Sequence, residues 1–104
     1  MDKEKSNILY VDDEENNLTA FVATFRRHFN VYTATSGREG IEIMRRNNIQ
    51  IVITDQRMPE MTGVQFLESI IPEYPNTIRM ILTGFTDIES IIKAINTVGI
   101  SLYY

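Results

Sequence analysis

Three aspartates and one threonine stand where short apolar runs of this 104-residue chain end. Asp12 and Asp13 follow one such run, Asp55 follows another, and Thr83 follows a third. Taken singly, each has an ordinary structural interpretation: an acidic pair after a strand commonly caps the next helix, and a lone Asp or Thr commonly ends a strand. Taken together, at the ends of the first, third and fourth predicted strands, they predict a shared site.

In an open parallel sheet, ligands bind outside the carboxyl ends of the strands, so these side chains converge there if the first, third and fourth strands are neighbours. Three carboxylates in one place repel one another, and a hard divalent cation that keeps some of its waters, such as Mg²⁺, relieves that repulsion. One carboxylate is then able to attack an activated phosphorus and form an acyl phosphate. The hydroxyl of Thr83 is placed to donate to a phosphoryl oxygen.

The elements that must position these residues alternate between strands and helices. Short apolar or β-branched runs predict five strands, at residues 8–11, 31–34, 49–54, 78–82 and 100–104. Strict alternation with amphipathic helices favours a parallel sheet between helical layers, in a single domain over residues 1–104.

Four helices are predicted from apolar periodicity and capping signals. The first has an apolar stripe of Leu18, Phe21, Val22, Phe25 and Phe29, with Arg26, Arg27 and His28 near its end. We expect a solvated His28 without a role in phosphate chemistry. Capping-box pairs predict the starts of the other three helices: Ser36 with Glu39, Thr62 with Gln65, and Thr86 with Glu89.

Composition narrows the classes of function. The chain has no cysteine, which excludes disulfides, thiolate nucleophiles and cysteine-type zinc sites. Its net charge of -4, with no cluster of basic residues, makes nucleic acid an unexpected partner. With neither an apolar leader nor a run long enough to cross a bilayer, a cytoplasmic location without membrane association is expected.

The sequence resembles the response-regulator receiver family of two-component signalling, from about Asn7 to the last residue. The likeness is carried by three stretches in order: Ile8-Leu9-Tyr10-Val11-Asp12-Asp13-Glu14, Thr54-Asp55-Gln56-Arg57-Met58-Pro59-Glu60-Met61-Thr62-Gly63, and Ile81-Leu82-Thr83-Gly84. The resemblance implies a flavodoxin-like (CheY-like) α/β fold, in which a five-stranded parallel sheet of order 2-1-3-4-5 lies between two helical layers.

The resemblance also implies roles for individual residues. Asp55 is expected to accept a phosphoryl group from a histidine kinase or a phosphotransfer protein, in a Mg²⁺-dependent step. The expected metal contacts are Asp55, Asp13 directly, Asp12 through water, and the backbone carbonyl of Arg57, while Thr83 is the expected switch hydroxyl and Tyr103 the switch aromatic. Such a domain is a signalling switch with output through protein contacts, and not an enzyme in the ordinary sense.

The sequence departs from the family pattern at its end. Family members place a Lys-Pro pair and a fifth helix after the switch aromatic, whereas this sequence ends at Tyr104. We therefore expect one sheet face to lack its cover and to be buried, together with the edge strand, in a homodimer or by a segment exchange. An alternative is a phosphorylation-deficient pseudo-receiver that acts as an oligomerising or partner-binding module. A phosphatase of the aspartyl-phosphate type is disfavoured, because two Asp residues separated by one residue are absent at the site.

Overall fold

A computed structural model describes residues 5–82 and the backbone of residues 101–103. Five parallel strands form one sheet in the order β2-β1-β3-β4-β5. Their bounds are β1 Ser6–Val11, β2 Phe29–Ala34, β3 Ile51–Asp55, β4 Ile78–Leu82 and β5 Ser101–Tyr103. The flavodoxin-like fold and the strand order expected from the sequence are confirmed.

Three helices belong to the described residues: α1 Glu15–Phe25, α2 Gly37–Arg46 and α3 Gly63–Ile70. The predicted fourth helix, with its Thr86–Glu89 cap, lies outside them. None of the helices in the described ranges has both the length and the apolarity to span a bilayer.

The main core lies on the sheet face covered by α2 and α3. Leu9, Val11, Val52 and Ile81 project from the strands into this core, where they meet Phe66 and other side chains of α3. The opposite face is covered by α1, whose Phe21 ring stacks on Tyr10 at a centroid distance of 4.4 Å. Neighbouring residues of β1 are therefore buried on opposite faces of the sheet, Leu9 and Val11 on one and Ile8 and Tyr10 on the other.

Local signals placed most elements correctly. The fourth strand has the predicted bounds, and the capping box of Thr62 and Gln65 that starts α3 is fully formed. The third strand starts at Ile51, two residues later than predicted, although Ile49 is buried. The Gln50 backbone there bonds across to Asn7 and Ile78, which joins the entry to β3 to both neighbouring strands.

The end of the first helix was predicted wrongly. α1 ends at Phe25, and Phe29 begins β2, so Arg26, Arg27 and His28 lie in the turn after the helix. Phe29 still packs near Phe25, with ring centroids 6.2 Å apart. Phe29 therefore packs with the aromatic residues of α1 from β2. Its four-residue spacing from Phe25 is also that of a helix, which is why the sequence placed it in α1.

The capping box predicted at Ser36 is only half formed. The Ser36 hydroxyl accepts a hydrogen bond from the Glu39 N–H at 3.1 Å, as expected. The Glu39 carboxylate, however, accepts from the Thr35 N–H at 2.6 Å and from the Thr35 hydroxyl at 3.3 Å. Two donors on Thr35 compete better for this carboxylate than the single Ser36 N–H.

Candidate functional site

Strand register brings the two buried-strand aspartates together. Tyr10 pairs with Ile53 and Val11 with Thr54, so the next residues on these strands, Asp12 and Asp55, follow in step. Because Cα partners in a parallel sheet point to the same face, both carboxylates lie on the α1 side. The sheet thus builds the predicted site at the carboxyl ends of β1 and β3.

Asp12 is held by a dense set of donors. Its side chain is only 2% exposed, and its Oδ2 accepts hydrogen bonds from the Tyr10 hydroxyl at 2.6 Å and the Asn17 amide at 3.0 Å. Its Oδ1 accepts from the Glu14 N–H at 2.9 Å, in the turn that starts α1. A buried carboxylate needs such partners, because removing a charge from water without them is costly.

Asp55 ends β3 and is half-buried, and its Oδ1 accepts a hydrogen bond from the Gln56 N–H at 2.9 Å. The Gln56 side chain turns away and accepts from the Val64 N–H at 2.9 Å, near the start of α3. The Gln56 carbonyl accepts from the Gly63 N–H at 3.0 Å. A single residue therefore ties the candidate phosphoacceptor to the first turn of α3.

Gly63 is required by the close approach of these segments. A Cβ atom at this position would overlap the backbone oxygen of Asp55 and crowd the Gln56 backbone. The same Asp55 carbonyl accepts a hydrogen bond from the Thr54 hydroxyl at 2.9 Å. The loop after β3 thus folds back onto the strand end, with Glu60 at a positive φ of 68° completing its turn.

Asp12, Asp13 and Asp55 form the acidic cluster expected from the sequence. One carboxylate oxygen from each lies within 4.8 Å of the other two. The first is buried, the second exposed and the third half-buried, so the cluster opens to solvent at Asp13. Their mutual repulsion and their oxygen-only donor set suit a hard divalent cation.

The spacing also bears on how a metal would be held. Oxygens on opposite sides of a Mg²⁺ ion are about 4.2 Å apart, since each Mg–O distance is about 2.1 Å. A cluster spread over as much as 4.8 Å fits this ion if one carboxylate acts through a water molecule. Asp12, whose two oxygens already accept three hydrogen bonds, suits that indirect role.

Other predicted site residues have different outcomes. Arg57 is exposed on the loop after Asp55, and its predicted carbonyl contact with a metal stays a prediction. Thr83 lies outside the described residues. The backbone of Tyr103 pairs with Leu82 on β4, next to the strand end where Thr83 follows. The side chain of this predicted switch aromatic is not among those described.

Sequence reasoning missed Tyr10, Asn17 and Gln56 as parts of the site. Burial, the hydrogen bond to Asp12 and the negative charges of Asp12 and Asp55 all raise the pKa of the Tyr10 hydroxyl above its ordinary value. Tyr10 is therefore a neutral donor at physiological pH. Its position two residues before Asp12 on a strand, hence on the same face, was the available signal.

The family is established by comparison. Residues 8–103 match the family model described as the response regulator receiver domain, and the chain belongs to this family. It is 35% identical over 103 residues to the hydrogenase transcriptional regulatory protein HoxA of Cupriavidus necator, covering 99% of this chain and 21% of that protein. It is 33% identical over 98 residues to the transcriptional regulatory protein ZraR of Escherichia coli, covering 93% and 22%.

Solved structures agree in fold. A response regulator receiver domain protein from Clostridium thermocellum has a TM-score of 0.87 and 32% identity, covering 93% of this chain and 79% of that one. The chemotaxis protein CheY4 of Vibrio cholerae has a TM-score of 0.89 and 26% identity, covering 97% and 86%. The chain spans about a fifth of the curated relatives it matches. Receiver domains belong to two-component signalling, and that is the class of this chain.

Proposed function

We propose that this receiver domain accepts a phosphoryl group on Asp55 in a Mg²⁺-dependent reaction and thereby switches protein contacts. The observation that carries the proposal is the acidic cluster: oxygens of Asp12, Asp13 and Asp55 within 4.8 Å of one another at the ends of two adjacent strands. Its phosphodonor would be a histidine kinase or a phosphotransfer protein. The domain is a switch in this proposal, and not an enzyme.

The reaction places distinct demands on the residues. A carboxylate oxygen of Asp55 forms the new O–P bond while the bond from phosphorus to the donor's imidazole nitrogen breaks, and that nitrogen keeps the electron pair. The Gln56 N–H, 2.9 Å from Asp55 Oδ1, fixes the rotation of the attacking carboxylate. A bound Mg²⁺ would offset the charge of the phosphoryl oxygens, held by Asp13 and Asp55 directly and by Asp12 through water.

The remaining predicted roles complete the proposal. The Arg57 carbonyl is the third protein contact of the metal. Thr83 donates to a phosphoryl oxygen as the switch hydroxyl, and Tyr103 responds as the switch aromatic. These three assignments depend on the resemblance to the family. Those of Thr83 and Tyr103 can each be tested by side-chain substitution, whereas that of Arg57 concerns a backbone carbonyl.

The test uses acetyl phosphate with Mg²⁺ and follows intact mass. We expect an adduct of one phosphoryl group in the wild type, none in Asp55→Asn, and none when a chelator removes Mg²⁺. Glu60→Gln is the matched control, because it removes an exposed carboxylate from the same loop. Its adduct should equal that of the wild type.

The outcome also separates the alternative. A folded wild type that forms no adduct, and whose amide spectra do not respond to beryllofluoride with Mg²⁺, would contradict the proposal. The pseudo-receiver, which binds partners without accepting phosphate, would then take its place. An adduct that persists in Asp55→Asn would instead move the phosphoacceptor to another residue.

Two further parts of the proposal concern location and assembly. We propose that the protein acts in the cytoplasm. Control of transcription is the output suggested by its relatives HoxA and ZraR, which are transcriptional regulators.

We also propose a homodimer through the α1 face of β3 and β4, where Ile78 is 52% exposed. Light scattering at micromolar concentration should give a dimer mass, and a monodisperse monomer would contradict it.

A further inference from the structure

The carboxylate of Asp12 is oriented mainly by side chains that sequence motifs do not identify. A carboxylate has about four lone-pair sites, and three described donors occupy three of those of Asp12. Oδ2 accepts from two side chains, Tyr10 at 2.6 Å and Asn17 at 3.0 Å. The shortest of these bonds is therefore the one from the tyrosine.

Tyr10 is itself rigidly held. It is 5% exposed, and its ring stacks on Phe21 of α1 at a centroid distance of 4.4 Å and an interplanar angle of 24°. Phe21 in turn packs on Phe25 with a centroid distance of 4.6 Å. Because the ring is fixed by packing, its hydroxyl is presented to Asp12 at a fixed place.

The negative charges of the acidic cluster explain why the hydrogen bond from Tyr10 to Asp12 matters for metal binding. Asp12 is nearly inaccessible to solvent, and its like-charged neighbours would otherwise push its carboxylate away from the metal position. A donor that holds Oδ2 opposes that rotation, and Oδ1, which accepts one hydrogen bond from Glu14, keeps a lone-pair site for a water molecule. Polar partners of metal-site carboxylates commonly change metal affinity when removed.

We propose that Tyr10 is a positioning residue for divalent-metal binding, acting through its hydroxyl on Asp12. The inference depends on the proposed function, in that it assumes Mg²⁺ binds at the acidic cluster. Asn17 acts on the same oxygen from α1 and is the weaker partner, since its bond is longer and its side chain exposed. The ring of Tyr10 contributes packing, and only the hydroxyl contributes to the metal site.

The test compares Mg²⁺ dissociation constants, measured by calorimetry and by amide chemical shifts, for the wild type and two phenylalanine variants. Tyr10→Phe keeps the ring on Phe21 and removes only the hydroxyl. Tyr32→Phe is the matched control, a half-buried tyrosine of β2 on the opposite sheet face. We expect Kd to rise about tenfold in Tyr10→Phe and to stay unchanged in Tyr32→Phe.

Asn17→Ala provides a second variant at an exposed position where folding is not at risk. It should raise Kd less than Tyr10→Phe does. Under saturating Mg²⁺ both variants should regain the wild-type yield of phosphorylated protein, which a misfolded variant would not. If the wild type binds Mg²⁺ saturably and the Kd of Tyr10→Phe lies within about twofold of its Kd, the inference about Tyr10 is overturned and the proposed function stands. A wild type that binds no Mg²⁺ would instead overturn the proposed function.

Discussion

The two faces of the sheet are packed very differently. On the face covered by α2 and α3, the strand side chains of Leu9, Val11, Val52 and Ile81 are completely buried. On the α1 face, the strand residues at matching positions of β3 and β4 are half-buried or exposed: Ile51, Ile53, Met80, Leu82 and Ile78. One face is therefore a closed core, and the other is open along two of its strands.

The site belongs to the open face. The side chains of Asp12 and Asp55 lie on the same side of the sheet as those of Tyr10 and Ile53. The side chain of Thr54 lies on the closed face. A carboxylate on the closed face would lose its water without gaining a metal or a phosphodonor. The closed face contains the main core, and the acidic cluster lies on the other side of the sheet, where the proposed function requires a metal and a phosphodonor to reach it.

The largest contrast is expected from removing one ring on each face. Phe66→Ala deletes a completely buried ring of the closed core and should lower the free energy of unfolding by about 3–5 kcal/mol. Phe21→Ala deletes a half-buried ring on the α1 face and should cost clearly less. Urea denaturation of both variants measures the difference. Equal losses would contradict the distinction between the faces.

Metal binding at the acidic cluster should stabilise the folded protein. At a free Mg²⁺ concentration of 100 times Kd, the free energy of unfolding should rise by about 2.7 kcal/mol. Asp13→Asn, which removes the exposed carboxylate of the cluster, should abolish most of this rise. Thermal unfolding with and without a chelator is the measurement. A rise of equal size in the variant would place the bound ion elsewhere.

Two glycines allow the site to be compared with the closed core, because Gly63 lies against Asp55 and Gly37 lies against Met61 and Phe66. Gly63→Ala forces a methyl group against the backbone of Asp55 and Gln56, and should cost about 1–3 kcal/mol while reducing phosphorylation of Asp55. Gly37→Ala meets first the end of the Met61 side chain, which is flexible, and should cost less and leave phosphorylation unchanged. Denaturation together with intact mass distinguishes a displaced site from a weakened fold.

The smallest effect is a pH dependence carried by Tyr10. Its pKa is raised in the folded protein above the ordinary 10.0, so the unfolded chain releases this proton first as pH rises. The stability that depends on the protonated Tyr10 hydroxyl is fully present below pH 10.0. It is lost as pH rises above 10.0 towards the folded-state pKa, because the unfolded state then binds fewer protons than the folded state.

Between about pH 9 and about pH 10.5, the wild type should lose on the order of 1 kcal/mol more unfolding free energy than Tyr10→Phe. Parallel losses in the two proteins would mean that the Tyr10 hydroxyl titrates normally. Denaturant unfolding at several pH values measures both curves.

Most of the element order in the described residues was predictable from local signals. Apolar runs marked the strands, and the Thr62 and Gln65 pair marked the start of α3 because a cap is completed within four residues. The errors were at boundaries, where tertiary contacts compete. Phe29 fits a helical period yet joins β2, since pairing with β1 supplies the backbone hydrogen bonds that a longer helix would otherwise provide.

By itself, the sequence determined that acidic residues end two buried strands, that the strands alternate with helices, and that the motifs are those of a receiver. Only the tertiary structure decided which faces those residues occupy. The residues before Asp12 and Asp55, Ile8 to Val11 and Ile51 to Ile53, are apolar on both faces, so alternation cannot reveal the face of either aspartate. The contacts of Tyr10 with Asp12 and of Gln56 with Val64 depend on register and on the close approach of α3, and these arise only when non-adjacent segments pack together.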